Sequence, residues 1–183
     1  MNTNTRFTTN KIAKLSMMTA VSLLLVLLIR IPMFVDFLKY DPADIPIYIT
    51  AFAYGPVEGL LVTFVVCIIQ AFMLGGDLFY GFIMHFVATG IVAVVIGIMY
   101  KRNKTKKTAI IALVTGVILT TIVMCIMNLI VTPHYMGAPI SAVVAMLPTV
   151  IIPFNLIKAG VNSLITFLVY KRISVLLRNN LEV

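Results

Sequence analysis

Asn155, Lys158 and Asn162 stand in PFNLIKAGVNSLITFLVYKR (153–172), a run otherwise apolar as far as Tyr170 and closed by Lys171 and Arg172. Their i, i+3, i+7 spacing aligns all three along one stripe of a helix, which Thr166 extends. Amides donate and accept hydrogen bonds and an ammonium donates, so the stripe is equipped to hold a molecule through hydroxyl or carbonyl groups. Lys158 precedes Lys171 by roughly 20 Å of helix. In a hydrocarbon core about 30 Å thick, that leaves it roughly 10 Å beneath the far surface. An ammonium at such depth costs at least about 2.5 kcal/mol. Either the side chain snorkels to the headgroups, at the limit of its reach, or it faces a partner or a wet cavity.

Asn128, four residues before Thr132 on the preceding segment, falls near the same surface. Amides also hold helices together, but Asn128, Asn155, Lys158 and Asn162, concentrated in one half of the membrane, favour a pocket open to the outside. Met124, Met127, Met136, Met146, Phe154 and Tyr135 supply soft, apolar surroundings. None of the four polar residues is acidic. The combination suits a small, flat, partly apolar ligand and suits a cation poorly.

Catalysis finds little support. His85 and His134 lie on separate segments, and no HExxH, GxSxG or acidic pair occurs. With no phosphate-binding glycine loop, the chain has no means of using ATP by itself. It also lacks the inverted pair of hydrophobic halves common in secondary transporters. Cys67 and Cys125 fall inside apolar segments and read as packing residues.

The elements that must position these groups follow from composition. Of 183 residues, 61% are hydrophobic and 11% charged, with mean hydropathy +1.10; soluble domains run about 45–50% and about 25%. At about 20 residues per crossing, the chain predicts one all-α membrane domain over 1–183. Six spans are expected near 12–34, 45–54, 60–74, 79–100, 108–131 and 145–170, with breaks at Gly55-Pro56, Gly75-Gly76-Asp77, 101–107 and Thr132-Pro133. The first apolar run exceeds a signal-peptide core and reads as a retained helix.

Net charge is +8, and its placement matters more than its size. Arg6, Lys11 and Lys14, the loop KRNKTKK (101–107), and Lys171, Arg172 and Arg178 share one side of a six-span layout, eleven of the 14 basic residues. That pattern marks a cytoplasmic face with both termini inside, not a nucleic-acid surface. Asp36, Asp41, Asp44 and Asp77 are then expected in outer loops. On the first helix, Ser16 and Ala20 form a small-xxx-small pair with Ala13 nearby, which suits either internal packing or close approach of another helix.

IIPFNLIKAGVNSLITFLVYKR (151–172) resembles the last helix of the riboflavin-specific substrate-binding (S) subunit of bacterial energy-coupling-factor (ECF) transporters. FLKYDPADIPIYITAFAYGPVEGLLV (37–62) resembles that family's first loop and second helix, and KRNKTKK its basic cytoplasmic loop. The resemblance covers nearly the whole chain, and IPFNLIK is its most specific part. It implies a six-helix S-component fold in the bacterial cell membrane that captures riboflavin from outside. A membrane coupling subunit and two cytosolic ATPases then drive uptake, and no cofactor is involved. It also implies ligand contacts at Asn128, Asn155 and Lys158, a first loop around Leu38, Lys39, Tyr40 and Asp41 that covers the ligand, and a coupling-subunit contact on helix 1. There the family's AxxxA reads Ser16-Met17-Met18-Thr19-Ala20. His85 precedes Phe86 where related sequences usually have Asn, a departure that bears on ligand choice. The alternatives are FMN or another vitamin on the same fold, or a small membrane enzyme or channel.

Overall fold

The structure is a computed structural model that describes residues 8–73 and 78–179, the last six of these by backbone alone. The Gly75-Gly76-Asp77 break, Leu74, Arg6 and the side chain of Arg178 lie outside the described residues. Helix α1 (Thr9–Leu28) is followed by a hairpin of β1 (Ile31–Met33) and β2 (Val35–Tyr40), then α2 (Asp44–Ala53), α3 (Pro56–Met73), α4 (Leu78–Arg102), α5 (Lys106–Met136), α6 (Ile140–Met146) and α7 (Ile152–Asn179). A π-helical turn, Leu147–Ile151, joins α6 to α7.

Local chemistry accounts for the boundaries. Thr8 and Thr105 cap α1 and α5, their hydroxyls accepting from the backbone N–H of Lys11 and Thr108. Gly137, at φ 63°, ends α5 in the left-handed conformation that a Cβ disfavours.

Three expected boundaries are corrected. Helix 1 stops at Leu28, not Phe34, because the β-branched and proline-bearing stretch after it pairs as an antiparallel hairpin, Ile31 opposite Tyr40. The chain is therefore not purely helical. Helix 5 passes Thr132-Pro133 and runs to Met136, since proline within a membrane helix is tolerated where neighbouring groups satisfy the freed carbonyl. The last helical stretch begins at Ile140, and the Pro148 region is absorbed in the π-turn.

Among the described residues, five helices are long and apolar enough to cross a membrane: α1, α3, α4, α5 and the α6–α7 stack. On α5, Ile110, Val114, Ile118, Ile122, Ile126 and Ile130 are all exposed. One large apolar side chain per turn on an outward face is what lipid, not water, would cover. The sixth, α2, has 10 residues and is buried almost throughout, with Ile47, Tyr48 and Ile49 at 2% exposure or less. It packs against α1, α3, α4 and α7 as the centre of the bundle. Phe52 closes its end against Tyr100 and Tyr170, with ring centroids 4.6 and 5.4 Å away.

Candidate functional site

The shortness of α2 makes the site. Ten residues rise about 15 Å, half of a hydrocarbon core about 30 Å thick. Beyond Asp44 the bundle has no central helix, and the β-hairpin folds over the gap. A cavity of about 160 Å³ remains beneath it, bounded by α3, α4, α5 and α7.

The α7 stripe turns inward. Lys158 Nζ donates to Asp41 Oδ2 at 2.8 Å, with the lysine side chain 17% and the aspartate 4% exposed. The ammonium is thus paired within the bundle and does not snorkel into lipid. One turn along, the Asn162 amide donates to Asp44 Oδ2 (3.0 Å) and to the Asp41 carbonyl (3.1 Å), and accepts from the Tyr40 hydroxyl (3.1 Å). Asn162 is wholly buried and tethers the hairpin's end to α7. Thr166 donates to the Asn162 carbonyl.

The acids were expected in outer loops. Asp36 is exposed on β2. Asp41 and Asp44 are not: each is at most 4% exposed, and both line the cavity. Asp44 Oδ1 accepts from Thr89 Oγ1 at 3.0 Å and faces His85 Nε2 at 3.2 Å. Asp41, expected in the covering loop, is thus joined at the cavity by Asp44, each matched to a cationic or polar partner, because a buried charge without a counter-charge is strongly disfavoured. DPAD carried a usable signal: two carboxylates three residues apart at the head of an apolar segment, when the buried lysine needed a counter-ion.

Asn128 and Asn155 line the cavity from α5 and α7. Each donates to a carbonyl one turn earlier, of Met124 and Ile151, at 2.8 Å, and Asn128 Oδ1 accepts from Thr132. Leu38 and Lys39 line it from the hairpin, whereas Tyr40 reaches Asn162 instead. Of the apolar surroundings expected, Met124, Phe154 and Tyr135 contribute; Met127, Met136 and Met146 do not, and Met84 replaces them. His85 belongs to the cavity, while His134 is exposed and bonds the Ile130 carbonyl at 2.9 Å. Gln70, Cys67 and Thr89, on α3 and α4, also line the cavity and were not anticipated; single polar residues in apolar spans give no depth-and-stripe signal.

Ala13, Ser16 and Ala20 are all exposed on α1. Ser16 and Ala20 lie in a second, apolar groove between α1 and α3, with Leu61, Val62 and Val65 across it.

Residues 10–170 match the family described as the ECF transporter, substrate-specific component. The chain belongs to this family. An S component of this kind is a multi-pass membrane protein and part of a transporter, not an enzyme. Its architecture agrees with a solved S component of a bacterial ECF transporter at TM-score 0.77 and 29% identity, over 92% of this chain and 97% of that one. Among curated proteins, this S component is 28% identical over 176 residues to the riboflavin transporter RibU of Staphylococcus aureus (90% of each chain). It is 27% identical over 170 residues to the riboflavin transporter FmnP of Bacillus subtilis, covering 87% of this chain and 90% of that one. To the riboflavin transporter RibU of Streptococcus thermophilus it is 29% identical over 179 residues, or 92% and 82%.

Proposed function

We propose that this S component captures riboflavin from the outer side of a bacterial cell membrane for uptake. The observation that carries the reading is the Lys158–Asp41 pair set beside the amides of Asn128 and Asn155 in a cavity under the hairpin, in a chain whose relatives are named riboflavin transporters. The isoalloxazine ring suits the part of the cavity lined by Met84, Met124, Phe154 and Tyr135. Its carbonyls and the ribityl hydroxyls suit Asn128, Asn155 and Lys158, with Leu38, Lys39 and Asp41 above them and His85 beside them. Arg30 and Lys39, also at the cavity, favour FMN as a second reading. The carboxylates of Asp41 and Asp44 oppose a phosphate dianion there, since like charges repel strongly where water is scarce. Titration of the purified protein with each flavin decides: riboflavin is expected to bind at least tenfold tighter than FMN. Absence of riboflavin binding would end the reading, and tighter FMN binding would reverse it.

The layout has six crossings with both ends in the cytoplasm, α2 and the hairpin together making the second. It is supported by the exposed basic loop 101–107 and by Lys171 and Arg172, whose neighbour Tyr170 meets Tyr100 beside that loop with ring centroids 5.9 Å apart. The chain has no nucleotide-binding loop of its own, so uptake relies on a membrane coupling subunit and two cytosolic ATPases. The groove of Ser16 and Ala20, with exposed Ala13 beside it, is where a coupling-subunit helix would approach. Filling it should separate binding from transport. Ala20→Trp is expected to leave riboflavin affinity unchanged and to reduce flavin uptake by cells at least tenfold; unaltered uptake would move the partner's surface elsewhere.

A further inference from the structure

Gln70 stands on α3, is 8% exposed and lines the cavity. Its Oε1 is buried and has no hydrogen-bond partner among the described residues. Of the other cavity-lining groups, Asp44 takes His85 and Thr89 and Asn128 takes Thr132, whereas Thr120 Oγ1 on α5 is, like Gln70 Oε1, buried with no hydrogen-bond partner among the described residues. A buried amide oxygen left without a donor weakens the unliganded fold, and native structures rarely retain one without a use.

Its position indicates the use. Gln70 lies roughly 21 Å along α3 from Pro56, and Lys158 roughly 20 Å along α7 from Lys171, so the two sit at similar depth. Helix α3 packs on α1, α2 and α4, whereas α7 packs on α2 and α5. Gln70 therefore faces the cavity from the wall across from Lys158 and Asn155. A ligand reaching between these walls meets donors and amides at one end and a lone acceptor at the other. We propose that Gln70 is a specificity-determining ligand contact, whose Oε1 accepts a hydrogen bond from whichever flavin donor, a ribityl hydroxyl or the imide N–H, faces α3. This inference rests on the riboflavin reading above.

The test uses the full-length protein, purified unliganded, with riboflavin, 3-methylriboflavin (no imide N–H) and lumichrome (no ribityl hydroxyls) as probes. Gln70→Leu keeps the side chain's bulk and removes the acceptor. It is expected to weaken riboflavin binding about tenfold, the loss of one hydrogen bond near the upper end of the usual range, while raising the melting temperature of the unliganded protein. The analogue lacking the donor that Gln70 reads should bind wild type and variant alike; the other should show the same loss as riboflavin. Gln70→Met serves equally should the leucine variant fail to fold. Equal riboflavin affinity in wild type and variant overturns the assignment, as does a tenfold loss with both analogues. Failure of the wild type to bind riboflavin is a separate result that removes the functional reading itself.

Discussion

Lys158→Ala is expected to raise the dissociation constant for riboflavin at least tenfold. A hydrogen bond from a charged donor contributes about 1.5–3 kcal/mol, and about 1.4 kcal/mol already corresponds to a factor of ten. The substitution also leaves the buried Asp41 carboxylate without its partner at 2.8 Å, so part of the lost affinity would come from a disturbed hairpin. A neutral double variant, Lys158→Met with Asp41→Asn, separates the two effects. It removes both charges, so no buried ion stands alone. Thermal stability should return toward that of the wild type while riboflavin affinity stays low. Flavin titration and thermal unfolding of the same preparations measure both. If the single variant binds riboflavin as tightly as the wild type, Lys158 serves the hairpin and not the ligand.

Asp44→Ala is expected to damage the fold itself. Asp44 receives Asn162 from α7, Thr89 from α4 and faces His85, all at its own buried position at the head of α2. Deleting the carboxylate strands these donors together in a site from which water is largely excluded. Breaking a buried charged pair typically costs about 3–5 kcal/mol, and for a chain of this size 1 kcal/mol corresponds to roughly 2–4 °C of melting temperature. The variant should therefore melt lower by about 6–20 °C or fail to purify as a single species. Asp44→Asn retains an acceptor for Thr89 and should lose less. An unchanged melting temperature for Asp44→Ala would show that the network does not bind α2, α4 and α7 together.

The two substitutions differ because the residues differ in what they tie. Lys158 reaches from one long helix to the end of the hairpin and borders open space. Asp44 joins three helices at the level where the central one ends. Binding and stability thus meet in one polar layer, and the cavity lies on top of it. The groove at Ser16 and Ala20 lies apart from that layer, which is why its substitution is expected to spare affinity.

How much of this was legible in the amino-acid order depends on which physical rule governed each feature. Apolar length and the placement of lysines and arginines are properties of the chain alone, because each helix must satisfy its own backbone within lipid. Those rules set the membrane class and the positions of the long helices. The stripe of Asn155, Lys158 and Asn162 was equally readable, since helical geometry assigns a face before any neighbour is known. The hairpin at 31–40 was hidden, because a short apolar stretch beside a helix has no periodicity to separate strand from helix.

What the amino-acid sequence determined by itself was a multi-helix membrane protein with an ammonium too deep to leave unpaired. Only the tertiary structure decided its partner: Asp41, 117 positions away along the chain, and not a lipid headgroup. It likewise decided that Asn162 fastens the hairpin, that Asp44 and His85 enter the cavity, and that the Gln70 oxygen faces it with no donor among the described residues. The reason is that a charge or amide in an apolar span states only a need. Which distant group meets that need, and which need remains for a ligand, is settled when the helices pack and the short α2 leaves room above itself.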